Sequence, residues 1–418
     1  MIEKKVAILS EKRHSVRFGV KSVTINFAFK NSSQGNMPKK HAVIVLKNLQ
    51  NQKEIIHPVT DFILSRWKGR AYNTQRTHAN NVMMFLNYVL LDNRKHFKVT
   101  SLEKLELSHG SSFLNDLTRS GKSRVTVKSA ERTLTEFFVF LSKKGIVDIA
   151  PDEFKKSSMY YDARKSYTLS PFDGVILPGR SKKSNTAHMI PEEYILPFLE
   201  LAVQVANPIA LGVYMQFFGG IRVGGLVNIR RSNITTIGAY GENGLVIKLD
   251  TQMLRQDISD TSGSSFVKKP RKQYVFPIQD WLSILYKKHL ENYKPKDGSD
   301  ALFINRDGKA MTGRTYRDYF TKLKRKFLEQ LRKSSNPNDK MWALKLESMK
   351  WSTHLGRGVF TNLLSEEAAN PYDIALPRGD DSLVSAMAYQ GNTMRMKENL
   401  ERRMDEMYKN YLPNLIKE

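Results

Sequence analysis

Between Pro58 and Asp148 apolar side chains return every three or four residues, and the chain contains no cysteine that could cross-link a looser arrangement. Phe62, Ile63 and Trp67 make one such stripe. Val82, Phe85, Leu86, Val89 and Leu90 make a second, and Leu134, Phe137, Phe138 and Leu141 a third. This spacing gives a helix a single apolar face, so residues 57–148 predict four short amphipathic helices packed as a compact bundle. The whole chain, at 418 residues with 40% apolar side chains, exceeds what one hydrophobic core usually supports, and two or three domains follow.

The pattern changes on either side of the bundle. Residues 1–56 read as a small β-rich segment of unassigned role, with strand candidates over residues 22–29 and 42–46 around the turn-rich Asn31-Ser32-Ser33-Gln34-Gly35-Asn36. Residues 149–189 are rich in Ser, Lys, Asp and Pro without helical period and predict a linker. A second globular region covers residues 190–418: apolar helices up to Phe218, strands over residues 244–249 and 273–278, and helices again from Asp280. The expected class is mainly α with a small β-sheet. No repeat of fixed period occurs.

The formal charge of +26 favours a polyanionic partner, because each Lys or Arg set against a phosphate releases counterions. Nucleic acid leads; an anionic membrane is the competing partner. No run of eighteen apolar residues occurs, Met83–Leu91 is too short to span a bilayer, and Met1-Ile2-Glu3-Lys4-Lys5 lacks the apolar core of a secretory signal. A cytoplasmic protein without membrane partners is expected. The absence of cysteine permits a reducing compartment and excludes disulfides, cysteine-ligated zinc fingers and thiol nucleophiles. Gly121-Lys122-Ser123 imitates the end of a Walker loop, but Asp116 stands where its first glycine belongs. No His-Glu-x-x-His occurs, and Asp250, Asp257 and Asp260 lie in a Ser/Gly/Thr-rich stretch that reads as a solvated loop. No metal and no cofactor are expected. Arg70, Arg76, Lys122, Arg124 and Lys128 interleave with the apolar stripes of the bundle, so they could face DNA backbone or simply solvate helix faces.

A phosphoryl transfer through a protein hydroxyl needs charge neutralised on two phosphate oxygens, a proton removed from the nucleophile and a proton given to the leaving oxygen. Arginine suits the first task, since its planar fork stays charged and matches phosphate. Arg222, in Gly219-Gly220-Ile221-Arg222-Val223-Gly224-Gly225-Leu226, and Arg357, in His354-Leu355-Gly356-Arg357, are the candidates. Spacing by three residues predicts His354 and Arg357 on one helical face, and an imidazole can exchange a proton near neutrality. A basic stretch, Val267-Lys268-Lys269-Pro270-Arg271-Lys272-Gln273-Tyr274-Val275-Phe276-Pro277, lies between the two arginines, and Tyr408 and Tyr411 follow them.

The order Arg, Lys, His-x-x-Arg, Tyr resembles the tyrosine recombinase (phage integrase) family, strongly over the last half of the chain and more loosely over residues 57–148. The resemblance implies a helical core-binding (SAM-like) domain followed by a catalytic domain, together clamping DNA. It implies Lys269 as general acid on a β-hairpin, with Lys268 as the alternative and Lys268, Arg271 and Lys272 as DNA contacts. It places Asn392, in Gln390-Gly391-Asn392, where the family carries His or Trp. Glu401 stands at the family's nucleophile spacing, so Tyr408 becomes the expected nucleophile with Tyr411 as alternative. Gly225 occupies the place of a common acidic residue, and Gly358 that of a frequent second histidine. The implied activity is site-specific DNA recombination or integration through a 3′-phosphotyrosyl intermediate, by a homo-multimer as large as a tetramer on double-stranded DNA, with room for accessory proteins. A catalytically altered architectural or regulatory protein of this fold, and a type IB topoisomerase, are the alternatives.

Overall fold

The computed structural model describes residues 16–27, 37–159, 162–179, 190–252, 254–255, 257–258, 264–268, 270–349, 351–367 and 370–379. Its contacts divide the chain into two units, residues 1–183 and 184–418.

In the first unit β1 (Val16–Phe27) and β2 (Met37–Asn48) pair antiparallel from Val16↔Asn48 to Phe27↔Met37, and β3 (Glu54–Ile56) adds to the other edge of β2. Helices α1 (Thr60–Trp67), α2 (Tyr72–Asn87), the short α3 (Arg94–Phe97), α4 (Leu107–Arg119) and α5 (Arg124–Lys143) follow. Phe62, Phe85, Phe137 and Phe138 are fully buried and form the aromatic centre of the bundle, with Phe62 and Phe137 ring centroids 5.1 Å apart. Each of these rings removes a large apolar area from water. The helix starts follow local chemistry: Ser123 caps α5 by accepting from the Thr126 amide.

The β-rich reading of residues 1–56 has its counterpart in this sheet, which shares the core of the bundle. Three side chains from the helices complete its hydrogen bonding. Asn87 accepts from the Phe18 amide at 3.0 Å and donates to the Phe18 carbonyl at 3.1 Å, so it treats β1 as another strand would. Thr60 does the same for Ile44 of β2, and Gln75 accepts from the Ala42 amide. A buried strand whose amides are satisfied this way has no reason to detach. The residues expected to be a linker also carry structure: β4 (Lys156–Met159) pairs with β5 (Asp162–Thr168). Beyond them Phe172 packs on Phe138, while Asn115, Thr118 and Arg124 bond to the backbone of Gly174, Ile176 and Pro178.

The second unit opens with α6 (Ile195–Val205), α7 (Asn207–Gly219) and the single turn α8 (Val223–Leu226). Every residue of α7 from Ile209 to Gly219 is buried, which makes it the central helix. An antiparallel sheet in the order β6 (Ile234–Thr236), β7 (Leu245–Leu249), β8 (Arg271–Val275) follows, then α9 (Trp281–Asn292), α10 (Gly313–Lys333), α11 (Pro337–Ser348), α12 (Leu355–Glu367) and α13 (Pro371–Arg378). The core joins Phe198, Phe217, Phe320, Phe327 and Trp351. Strand β8 begins two residues before the expected position, because Arg271 and Lys272 pair with Leu249 and Lys248 despite their charge. Among the described residues no helix is long and apolar enough to cross a membrane.

Candidate active site

Helix α7 ends at Gly220, whose left-handed φ of +60° turns the chain sharply enough to deliver Arg222 two residues later. Arg222 is extended (φ −77°, ψ 157°) and half-buried, and its carbonyl accepts from the Leu226 amide to start α8. The Gly-Ile-Arg motif is thus a helix stop followed by a helix start.

The second arginine meets this turn directly. Arg357, 6% exposed in the first turn of α12, donates from Nη1 to the Gly220 carbonyl at 2.8 Å and from Nη2 to the Arg378 carbonyl at 3.2 Å. Charge-assisted bonds of this kind are stronger than neutral ones. The approach of α12 to α7 depends on two glycines. A Cβ on Gly220 would lie 2.4 Å from Phe360, and one on Gly356 would lie 2.4 Å from the Gln216 side chain.

Of the two residues expected on one helical face, Arg357 lies within α12 and His354 immediately precedes it. His354 accepts the first helical bond through its carbonyl, from the Gly358 amide, and its side chain is exposed. Ser352 and Thr353 form a turn ahead of the helix: the Leu355 amide bonds to the Ser352 carbonyl, and the buried Gln216 Nε2 donates to the Thr353 carbonyl at 2.9 Å. Gln216 in turn accepts from the Tyr316 hydroxyl at 3.0 Å. Gln216 was not among the expected site residues. Its signal in the sequence is a lone amide within the apolar run Ile209–Gly219, a pattern that calls for buried partners. Lys324 supports the same turn, with Nζ 3.3 Å from the Trp351 carbonyl and 4.6 Å above its ring; burial lowers its pKa.

The basic stretch reaches the same neighbourhood by another path. β7 and β8 pair, but residues 250–270 connect them, a longer excursion than a tight hairpin. The end of that connection is anchored against α8 and α10: Asn228 donates to the Gly224 and Ser265 carbonyls, and the Gly313 amide donates to Ser265 Oγ. Gly224 is required here, since its Cβ would lie 2.1 Å from the Phe266 carbonyl oxygen. Gly225 faces Ile221 and Leu249, so its position points into the core and has no room for a solvated acid. Lys268 and Lys272 are exposed, while Arg271 is half-buried, bonds to Gln273 Oε1 and lies against Gly379. Gln273 donates to the Pro377 carbonyl, so β8 and Arg357 both hold the end of α13.

Arg222, Arg357 and the turn of His354 are therefore brought together at the end of α7, with β8 beside them: the Phe276 amide bonds to the Phe218 carbonyl. Lys269, Asn392, Tyr408 and Tyr411 lie outside the described residues. In the first unit Arg70, Lys122 and Lys128 are exposed and Arg76 is half-buried, whereas Arg124 donates to the Pro178 carbonyl. No group of three or more His, Asp or Glu side chains arranged for a metal ion occurs among the described residues.

No protein-family model and no curated protein matches the chain. Solved structures do. Residues 82–397 of the Tn1549 transposon integrase, in complex with transposon right end DNA, align with a TM-score of 0.52 at 17% identity, over 82% of this chain and 98% of that one. The same integrase in complex with circular intermediate DNA gives a TM-score of 0.51 at 16% identity, over 81% and 98%. Likeness at such low identity is a likeness of fold, and it coincides with the motif order read from the sequence. The chain has the tyrosine-recombinase fold, mainly α with small antiparallel sheets.

Proposed function

We propose that this protein is a tyrosine-type site-specific DNA recombinase or integrase. The observation that carries the proposal is the bond from Arg357 Nη1 to the Gly220 carbonyl, which joins the His-x-x-Arg helix to the Gly-Ile-Arg turn in a chain of this fold. Two guanidinium groups delivered from one junction suit the two non-bridging oxygens of a phosphodiester, and their attraction grows as charge gathers in the transition state. In this reading the Tyr408 hydroxyl attacks phosphorus, with His354 taking its proton. A 3′-phosphotyrosyl bond forms as the bond to the 5′ oxygen breaks, and Lys269 protonates that leaving oxygen. The covalent link conserves the bond energy for rejoining to a partner strand. Several protomers on double-stranded DNA are needed for exchange, and the Tn1549 integrase, solved in complex with circular intermediate DNA, supports action on DNA.

The second reading, a DNA-binding architectural protein that has lost chemistry, is favoured by Gly225 packed against Ile221 and Leu249 in place of a supporting acid. A nicked suicide duplex separates the two. The enzyme leaves a covalent protein–DNA adduct that Tyr408→Phe abolishes and Tyr411→Phe retains. An intact protein that binds the duplex and forms no adduct supports the architectural protein, and an adduct mapped to Tyr411 moves the nucleophile by three residues. Exchange between two sites distinguishes a recombinase from a type IB topoisomerase.

A further inference from the structure

Two stretches of the first unit contain no acidic residue: none lies between Glu11 and Glu54, or between Asp61 and Asp92, yet together they hold thirteen Lys and Arg. The fold brings these two stretches into contact. Lys39 of β2 donates from Nζ to the Lys68 carbonyl at 3.0 Å, which draws the strand's cation to the turn joining α1 and α2. That turn, Lys68-Gly69-Arg70-Ala71, is exposed. It is held from beneath by Gln75, whose side chain is fully buried. Gln75 Oε1 lies 3.2 Å from both the Ala42 amide and His41 Nδ1, and Nε2 donates to the Arg70 carbonyl at 3.0 Å and lies 3.5 Å from the Lys68 carbonyl. One amide therefore fastens strand and turn to each other. At the other end of the sheet the cations are matched by acids: Arg17 pairs with Asp92, and Lys21 and Lys47 with Glu54. The positive field at the turn end is also felt within the protein, since burial first, and then Lys39 and Lys68, lower the pKa of His41.

We infer that Lys39, Lys68 and Arg70 form one preset phosphate-binding surface for duplex DNA, so that the N-terminal sheet extends the DNA contact of the helical bundle, with Gln75 as its positioning residue. The inference rests on the proposed action on DNA. Cations fixed on a riveted backbone lose less freedom on binding than cations on a mobile tail. Each lysine or arginine that neutralises a phosphate also releases condensed counterions, which makes its contribution visible as salt dependence.

The test measures affinity of the full chain for a short duplex over a range of salt concentrations. The combined Lys39→Gln, Lys68→Gln, Arg70→Gln variant should lower the log–log salt slope by about 3, close to one per contact. A comparison variant, Lys143→Gln, Lys144→Gln, Lys155→Gln, removes the same charge from other exposed positions and should change it little. Lys68→Gln alone, at an exposed position, should remove about one unit and serves should the triple variant unfold. An unchanged slope in the folded patch variants, or an equal fall in the comparison variant, overturns the surface while leaving the DNA-acting enzyme intact. A parental slope of only one or two phosphates overturns both.

Discussion

Each unit hides a fully buried glutamine behind a basic element, Gln75 in the first and Gln216 in the second, and the two are used differently. Gln75 fastens an exposed turn that carries Lys68 and Arg70; Gln216 fastens the turn that starts α12, whose Arg357 points inward to backbone carbonyls. Cations carried on a fixed surface turn lose little freedom when they meet a phosphate, so the first arrangement suits affinity. A buried guanidinium bonded to the ends of two other helices cannot move without them, so the second suits precision at a reacting phosphorus. In the proposed reading the first unit holds DNA and the second fixes the geometry of one bond.

Arg357→Ala should show the largest effect and sharpen this division. It removes charge from the transition state and also leaves the Gly220 and Arg378 carbonyls without their donor. Cleavage should fall by more than roughly a hundredfold, and the melting temperature should fall with it, since a buried group left unsatisfied costs about 1–3 kcal/mol. Cleavage at the parental rate would break the proposed clamp.

The glutamines should separate affinity from chemistry. Gln216→Leu strands the Thr353 carbonyl and the Tyr316 hydroxyl, so it should destabilise by about 2–4 kcal/mol and lower the cleavage rate at saturating DNA while leaving affinity nearly unchanged. Gln75→Leu should do the reverse, weakening affinity with little change in the saturated rate. Equal behaviour of the two variants in both measurements would dissolve the comparison.

These two residues also show what the sequence does and does not reveal. The helical stripes were legible because Phe62, Phe85, Phe137 and Phe138 recur at helical spacing and all become core. The arginine motifs were legible because their order is distinctive. The sheet's place in the first core was not, since it depends on Thr60, Gln75 and Asn87, polar residues whose partners are 16, 33 and 69 positions away. The turn before α12 was equally hidden, since its supports, Gln216 and Lys324, stand 137 and 27 positions from the carbonyls they bond. Gly225 is similar, for its contact with Leu249 belongs to tertiary packing.

The smallest effect concerns pH, again with one residue per unit. Burial lowers the pKa of His289 to about 4, with Nε2 2.9 Å from the Leu302 carbonyl, and that of His78 to about 4, where it stacks on Trp67. The folded state resists protonation and the unfolded state accepts it near pH 6.5, so stability should fall as pH drops from about 6.5 toward 4. The fully buried His289 sets an upper value of about 1.4 kcal/mol per pH unit over that window, and the half-buried His78 contributes less. His289→Gln should flatten the acid limb of the thermal stability profile; an unaltered limb would remove His289 as its cause.

The central claim, that the junction at the end of α7 stabilises a reacting phosphodiester, is tested most directly by Arg222→Ala on a nicked duplex, with binding and covalent cleavage measured on the same protein. Arg222 begins α8 through its backbone, which the substitution keeps. The account predicts affinity close to the parental value and adduct formation slowed by roughly a hundredfold or more. Adduct formation at the parental rate would contradict it.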